Sequence, residues 1–504
     1  MTANLFDILA RSITDAGATA IETLAGEQIS YGDLVARTGR MANALVALGV
    51  SPGDRVAVQV EKSVEAIILY LATARAGAVF LPLNTGYTAA EIAYFIGDAE
   101  PALFVCDPAR VADLAQAAEQ AGARMATLDA SGLGSLTDAA EAAAEDFATV
   151  PRAADDLAAL LYTSGTTGRS KGAMLTHGNL VSNALSLRTA WSYTARDVLI
   201  HALPIFHTHG LFVATNVTLF SGASMIFLPK FDIDRIFELM SRATVLMGVP
   251  TFYVRLLEDD MLNVETTAQM RLFVSGSAPL LAETHREWRA RTGHAILERY
   301  GMTETNMNTS NPYDGARVAG TVGLPLPGTE VIVTDPETGV ELPQGEIGMI
   351  EVRGANVFKG YWRMPEKTAA ELRANGFFIT GDLGRIDDKG YVHIVGRGKD
   401  LIITGGYNVY PKEIEAEIDE IPGVLESAVI GIPHKDFGEA VTAVVVPTGS
   451  PTLTEAAIVA ALEGRLARFK QPKRVVFVPE LPRNTMGKVQ KNLLRDHHAG
   501  LYQA

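Results

Sequence analysis

The run Tyr162-Thr163-Ser164-Gly165-Thr166-Thr167-Gly168-Arg169-Ser170-Lys171-Gly172 packs hydroxyls, three glycines and two cations into eleven residues. It follows the apolar stretch Leu157 to Leu161, which reads as a buried strand, so the loop hangs from a strand end. Glycines let backbone N–H groups turn toward a polyphosphate, and hydroxyls and cations complete such a cradle. The pattern is not a Walker A loop, which needs four residues between its glycines and Ser or Thr after the lysine. Here two residues separate Gly165 from Gly168, and Gly172 follows Lys171. Three more segments could work beside this loop. Thr303-Glu304 offers a hydroxyl and a carboxylate, and Mg2+ takes a carboxylate together with phosphate oxygens. Asp382, in the turn Thr380-Gly381-Asp382, can accept two hydrogen bonds from a ribose diol. Lys488 closes Pro482-Arg483-Asn484-Thr485-Met486-Gly487-Lys488 near the C-terminus. Attack on a phosphate needs positive charge aimed at the developing pentavalent oxygens, and a lysine on a mobile domain supplies it.

The elements that must hold these groups are legible in outline. A chain of 504 residues exceeds one ordinary domain, and 48% apolar residues are ample for large cores. The first 240 residues alternate strand and helix signals: Arg55 to Val60, then Val64, Ile67, Ile68 and Leu71 at helical spacing, then Ala78 to Pro82. Such alternation implies parallel sheets covered by helices. A second pass runs through Thr244 to Gly248, Arg271 to Ser275 and Ala295 to Glu298. After residue 320 the strands become hairpin-like, with a turn at Asp387-Asp388-Lys389-Gly390. A small α+β unit follows Arg397, with helices expected at Pro411 to Glu420 and Thr454 to Phe469. The expected class is α/β, with a large N-terminal domain of α/β sheets plus a β-rich subdomain and a small mobile α+β C-terminal domain. Its boundaries are residues 1–396, a hinge at 397–399 that includes Lys399, and residues 400–504.

Composition excludes some partners. With 43 basic and 58 acidic residues the net charge is −15, which disfavours nucleic acid and anionic membrane. The lone cysteine, Cys106, sits in the apolar run Leu103 to Cys106 and reads as core, and one cysteine can form no internal disulfide. The N-terminus shows no signal-peptide pattern, so a cytoplasmic location is expected. Residues Val198 to Pro229 carry no Asp, Glu, Lys or Arg, but three histidines, an asparagine and two prolines argue for buried strands and a polar pocket wall rather than a membrane span.

The loop and five further segments, in order, resemble the adenylate-forming superfamily of acyl-CoA synthetases, amino-acid adenylation domains and luciferases. The resemblance covers nearly the whole chain. It implies that Thr163, Ser164, Gly165, Thr166, Thr167, Gly168 and Lys171 hold ATP phosphates. It assigns Glu304 to Mg2+, Thr303 to phosphate, and Tyr300 and Gly301 to the adenine side. Gly276, Ser277 and Ala278 of Ser275-Gly276-Ser277-Ala278-Pro279 would lie against adenine and the acyl pocket, and Asp382 and Arg397 against ribose or phosphate. Gly405 and Gly406 of Ile403-Thr404-Gly405-Gly406-Tyr407-Asn408 would border the coenzyme A tunnel. Lys488 matches the catalytic lysine, in a context that resembles the segment acetylated in related synthetases, so a protein acetyltransferase and deacetylase are expected partners.

The implied reaction joins an acid to ATP, giving an acyl-adenylate and pyrophosphate, and then a thiol displaces AMP. No room remains after Lys488 for a carrier domain, so free coenzyme A is the expected acceptor. In the amino-acid branch an Asp usually follows the Phe of Pro204-Ile205-Phe206; here it is His207, which argues against an amino acid. Arg255, in Gly248-Val249-Pro250-Thr251-Phe252-Tyr253-Val254-Arg255-Leu256, could pair a second substrate carboxylate. An i,i+4 pair with Asp259 is the alternative. Arg286 is a second candidate. The set HTHG, VPTFYVR, SGSAPL and RYGMTETNMN looks most like the malonyl-CoA synthetase branch. On that resemblance Arg255, Ser277, His207 and Met302 line a small dicarboxylate pocket. Another small-acid or fatty-acid CoA ligase, a luciferase-like oxygenase and a non-catalytic relative stay open, although a non-catalytic relative would be expected to lose Lys488 or Glu304.

Overall fold

The computed structural model describes residues 2–163, 170–405, 407–449, 453–463, 465–484 and 487–502. Two largely parallel sheets form the bulk of the N-terminal domain. One runs Arg124–Thr127, Leu103–Cys106, Arg55–Gln59, Val79–Pro82, Leu157–Thr163, Lys171–Thr176, and only its last pair is antiparallel. The other centres on Ser224–Phe227, Val198–His201, Val245–Gly248, Leu272–Ser275 and Leu297–Met302, parallel throughout, with antiparallel strands at both edges. Strands such as Leu103–Cys106 and Val245–Gly248 are buried at every position, as sheets covered on both faces require. Helix Val64–Arg75 is buried on nearly all sides, with the Ser63 hydroxyl accepting from the Ala66 N–H at its start.

A four-stranded antiparallel sheet, Thr329–Thr334, Gly348–Gly354, Phe378–Ile386 and Val392–Arg397, makes the β-rich subdomain. The expected turn at Asp387 to Gly390 joins its last two strands: Asp387 Oδ1 accepts from Lys389 N and Tyr391 N, and Gly390 takes φ +85°. The chain then forms a short 3-10 turn, Gly398–Asp400, and enters the C-terminal domain, a mixed sheet flanked by helices Pro411–Asp419, Glu455–Leu462 and Lys491–His498.

Two expectations change and one helix is added. The helix from Thr454 closes at Leu462, with Glu463 already extended, and Leu466 and Phe469 turn back onto the domain, Phe469 stacking on Tyr407 at 4.6 Å. Helix Lys491–His498 carries an amphipathic face whose Leu494 is buried, a pattern too short to announce itself. The segment after Glu298 is itself strand: Leu297–Met302 continues through Arg299 and Tyr300. The charge-free stretch from Val198 becomes the strand Val198–His201, a π-helix His209–Thr215, a helix Asn216–Phe220 and the strand Ser224–Phe227. Among the described residues no helix is long and apolar enough to cross a membrane.

Candidate active site

A cavity of about 800 Å3 opens where the carboxyl ends of both parallel sheets meet the β-rich subdomain and the C-terminal domain. The strand ends at Thr163, Ser275 and Met302 deliver side chains to it, as does the turn after His201.

One end is rich in paired charge. Asp382 is almost fully buried; Arg397 Nε forms an ion pair with its Oδ1 at 2.7 Å and the Tyr300 hydroxyl donates to its Oδ2 at 2.5 Å. Glu304 is buried with the Tyr361 hydroxyl 3.1 Å away, and burial pushes its carboxyl up. The same hydroxyl lies 2.7 Å from Glu371, so a single proton bridges the two acids. Lys171 completes the group, 3.5 Å from Glu371 and 4.2 Å above the Tyr361 ring. Tyr361 and Glu371 were not legible as site residues, because the helix Pro365–Glu371 carries Glu371 back to Glu304 across some seventy residues of chain. Gly301 has no room for a side chain: a Cβ there would sit 1.9 Å from the Asn306 carbonyl oxygen.

Lys488 stands in the cavity on a hairpin held by its own residues. Asn484 Oδ1 accepts from Lys488 N at 3.0 Å, Arg483 Nη1 donates to the Gly487 carbonyl at 2.6 Å, and Arg483 pairs with Glu426. Gly487 takes φ +73°, a conformation that favours glycine, and approaches Thr251 of helix Pro250–Leu257. Burial, then Arg397, lowers the ammonium's pKa, while Asp382 and Glu304 work against them. Lys488 thus feels Asp382 and Glu304, two of the three acids of the charged end.

The other end holds donors without acids. Arg299 is 3% exposed and lines the cavity, with Nε and Nη2 lacking any partner among the described residues. Burial lowers its pKa to about 9. Its neighbour Glu298 points to the opposite face, as strand alternation dictates, and does not neutralise it; Glu298 accepts from Leu280 N, and burial raises its pKa to about 8. The guanidinium lies against Gly276, where a Cβ would come within 2.4 Å of it. Beside it, His209 Nδ1 is 3.3 Å from Ser277 Oγ, and His209 Nε2 has no partner. Ser277 itself sits at φ +72°, a strained setting for a residue with a Cβ. His207 Nδ1 accepts from the His209 N–H, leaving Nε2 as the donor of a neutral ring; burial, then Lys488 and Arg299, holds its pKa near 3.

The structure therefore brings together Thr163, Lys171, His207, Ser277, Gly301, Met302, Thr303, Glu304, Arg397, Lys399 and Lys488 on one cavity, with Tyr300 and Asp382 directly behind. Gly276 and Ala278 flank Ser277 without lining it. Ser164, Gly165, Thr166, Thr167, Gly168 and Gly406 lie outside the described residues. Two expectations are corrected. Arg255 is exposed and lies 6.0 Å above the Phe231 ring, because it falls on the outer face of its helix while Phe252, Tyr253 and Leu256 turn inward. Arg286 is also exposed, 3.8 Å from Glu420 of the C-terminal domain. Arg299, by contrast, lines the cavity beside His207 and Ser277. Its signal was present: a lone cation inside a strand flanked by apolar residues. Gly405, at φ +57°, is exposed and outside the cavity that Lys488 lines.

A divalent cation fits this donor set. Among the described residues no cluster of three or more His, Cys, Asp or Glu could hold a metal alone. Glu304, buried with the Tyr361 hydroxyl beside it, suits an ion that brings phosphate oxygens as its other ligands, which is how Mg2+ commonly binds.

Residues 11–362 match the AMP-binding enzyme family and residues 413–488 its C-terminal domain. The chain is 34% identical to malonate–CoA ligase of Arabidopsis thaliana, over 93% of this chain and 84% of that one. It is 37% identical to a feruloyl-CoA synthase of Amycolatopsis, over 93% and 94%. Among solved structures, ATP-bound MatB from Rhodopseudomonas palustris shares 68% identity over the whole of both chains, with a TM-score of 0.98. Apo MatB gives 0.88 at the same identity, so the arrangement with Lys488 in the cavity is the one nearer the ATP-bound form. Two family matches in order, together spanning most of the chain, agree with a cavity that gathers their motifs at one place: this chain belongs to the AMP-binding enzyme family, within its CoA ligase branch.

Proposed function

We propose that the protein ligates malonate to coenzyme A through a malonyl-adenylate. The observation that carries the acid is Arg299, a buried guanidinium beside His207, His209 and Ser277 that has, among the described residues, two unpartnered N–H groups and no acid to neutralise it. Leaving such donors unpaired is costly, and a carboxylate at the far end of a short acid satisfies them. A monocarboxylate with an apolar tail does not.

In the first step a carboxylate oxygen of malonate attacks the α-phosphorus of ATP, the bond to the β-phosphate oxygen breaks, and pyrophosphate leaves. Lys488, close to Asp382 and Glu304, supplies charge to the equatorial oxygens as they gain it. Asp382 and Arg397 orient the ribose, and Lys171 moves from Glu371 to the outer phosphates. Mg2+, when bound at Glu304 with phosphate oxygens, neutralises charge on the polyphosphate. In the second step the thiol sulfur of coenzyme A attacks the acyl carbon, the bond to the AMP phosphate oxygen breaks, and AMP leaves. For this step the C-terminal unit, residues 400–504, rotates about 397–399 relative to residues 1–396. Lys488 then withdraws and Gly405 and Gly406 approach the thiol's path. Acetylation of Lys488 would stop the first step alone, and it requires the rotated arrangement in which the lysine leaves the cavity. A cytoplasmic setting suits the substrates.

A panel of acids assayed for AMP formation, with and without coenzyme A, tests this reading. Malonate should exceed acetate and butyrate, and AMP should accumulate only when thiol is present. A preference for a monocarboxylate, or release of ADP, would overturn it.

A further inference from the structure

The strand Val198–His201 ends on a histidine that is 1% exposed and does not reach the cavity. Its Nε2 lies 3.0 Å from the Gly210 carbonyl oxygen and 3.2 Å from Thr215 Oγ1. A carbonyl only accepts, so Nε2 carries the hydrogen. Burial and the nearby Lys62 keep the ring neutral, so Nδ1 is a bare acceptor. Lys62 Nζ meets that acceptor at 2.9 Å, donates again to the His201 carbonyl at 2.7 Å, and lies 4.3 Å above the Phe227 ring. Lys62 follows the strand Arg55–Gln59 of one parallel sheet and His201 ends a strand of the other, so the pair is a strut between the two.

The strut ends on an unusual turn. Gly210 belongs to the π-helix His209–Thr215, a rare geometry that recurs at functional sites. Its carbonyl accepts from His201 Nε2 and, at 2.9 Å, from the hydroxyl of Thr215 five residues on. A Cβ at Gly210 would meet the Pro204 carbonyl oxygen at 2.0 Å, so the turn closes only with glycine there. His209, the first residue of the turn, faces Ser277, and its N–H donates to His207.

We propose that Lys62 and His201 are positioning residues: they hold the wide turn at Gly210 and so aim His207 and His209 at the far carboxylate of the acid, setting acid specificity without touching it. The proposal rests on the dicarboxylate reading of the acyl end. Lys62→Met keeps the stem and removes the amine; His201→Phe keeps a ring and removes both nitrogens; His201→Gln restores a donor and an acceptor. Lys62→Met and His201→Phe should raise the KM for malonate by about tenfold or more, while the KM for ATP and kcat/KM for butyrate stay within about twofold. The melting temperature should hold, and His201→Gln should fall nearer the parent than His201→Phe. Equal losses on malonate, butyrate and ATP with a lower melting temperature would reduce the pair to scaffold and overturn the proposal. An unchanged malonate KM in both His201 variants would overturn it too, whatever Lys62→Met does. If the parent enzyme prefers another acid, the malonate reading fails by itself. The positioning role is then decided by the same split between that acid and ATP.

Discussion

The two ends of the cavity handle charge in opposite ways. At the nucleotide end each acid already has a partner: Asp382 with Arg397 and Tyr300, Glu371 with Lys171 and Lys367, Glu304 with Tyr361. At the acyl end Arg299 and His209 have donors or acceptors with nothing to meet among the described residues. A nucleotide therefore exchanges one set of hydrogen bonds for another, and the net gain per contact is modest. An acid with a second carboxylate fills bonds that are otherwise unmade, and an acid without one leaves them unmade. Binding strength at the first end is spread over many exchanges; selectivity at the second is concentrated on few groups.

The largest effect that probes this contrast is Lys488→Ala. It should lower malonyl-adenylate formation by about a thousandfold, in line with loss of an aimed charge at a phosphoryl transition state. Thioester formation from supplied malonyl-adenylate should be nearly unchanged in single-turnover assays, and equal loss in both half-reactions would contradict the assigned role.

Arg299→Met comes next. Removing the unpaired guanidinium should cut kcat/KM for malonate by about a hundredfold or more and leave butyrate equal or improved, as expected when a buried charge partner is removed. Loss of both acids alike would mean that Arg299 only shapes the strand.

Asp382→Asn should act on the paired end and act less. An amide still accepts from Arg397 but accepts poorly from a ribose diol, so the KM for ATP should rise by about tenfold with acid preference unchanged. A shift in the malonate-to-butyrate ratio in this variant would show that the two ends are not independent.

The smallest effect is expected for Arg255→Ala and Arg286→Ala. Both side chains are exposed, so malonate kinetics should stay within about twofold of the parent. A selective loss of malonate in Arg255→Ala would return the distal carboxylate to the helix Pro250–Leu257 and displace Arg299.

The nucleotide end was legible in the residues because its chemistry is written locally. Glycines and hydroxyls in one loop, Thr303-Glu304, the Asp382 turn and Lys488 can each be named without knowing what faces them, and the structure gathers those described on one cavity. The acyl end was misread for a physical reason. Arg255 and Arg299 are both single cations beside apolar residues, and the chain alone does not say which is on an inner face. Helix periodicity turns Phe252, Tyr253 and Leu256 inward and Arg255 outward; strand alternation turns Glu298 and Arg299 to opposite sides. Lys62 and Tyr361 carried no signal, because their roles depend on groups more than fifty residues distant.

By itself the sequence determined the family, the two-step chemistry it implies, the α/β class and which groups to propose for phosphate and ribose. Those depend on residue type and short spacing, which folding does not alter. Only the tertiary structure decided which arginine is buried on the cavity, that Lys488 rather than Gly405 faces it, and that Lys62 meets His201 across the two sheets. Burial and partnership belong to pairs of distant segments, and they exist only once both parallel sheets and the C-terminal domain have closed on one another.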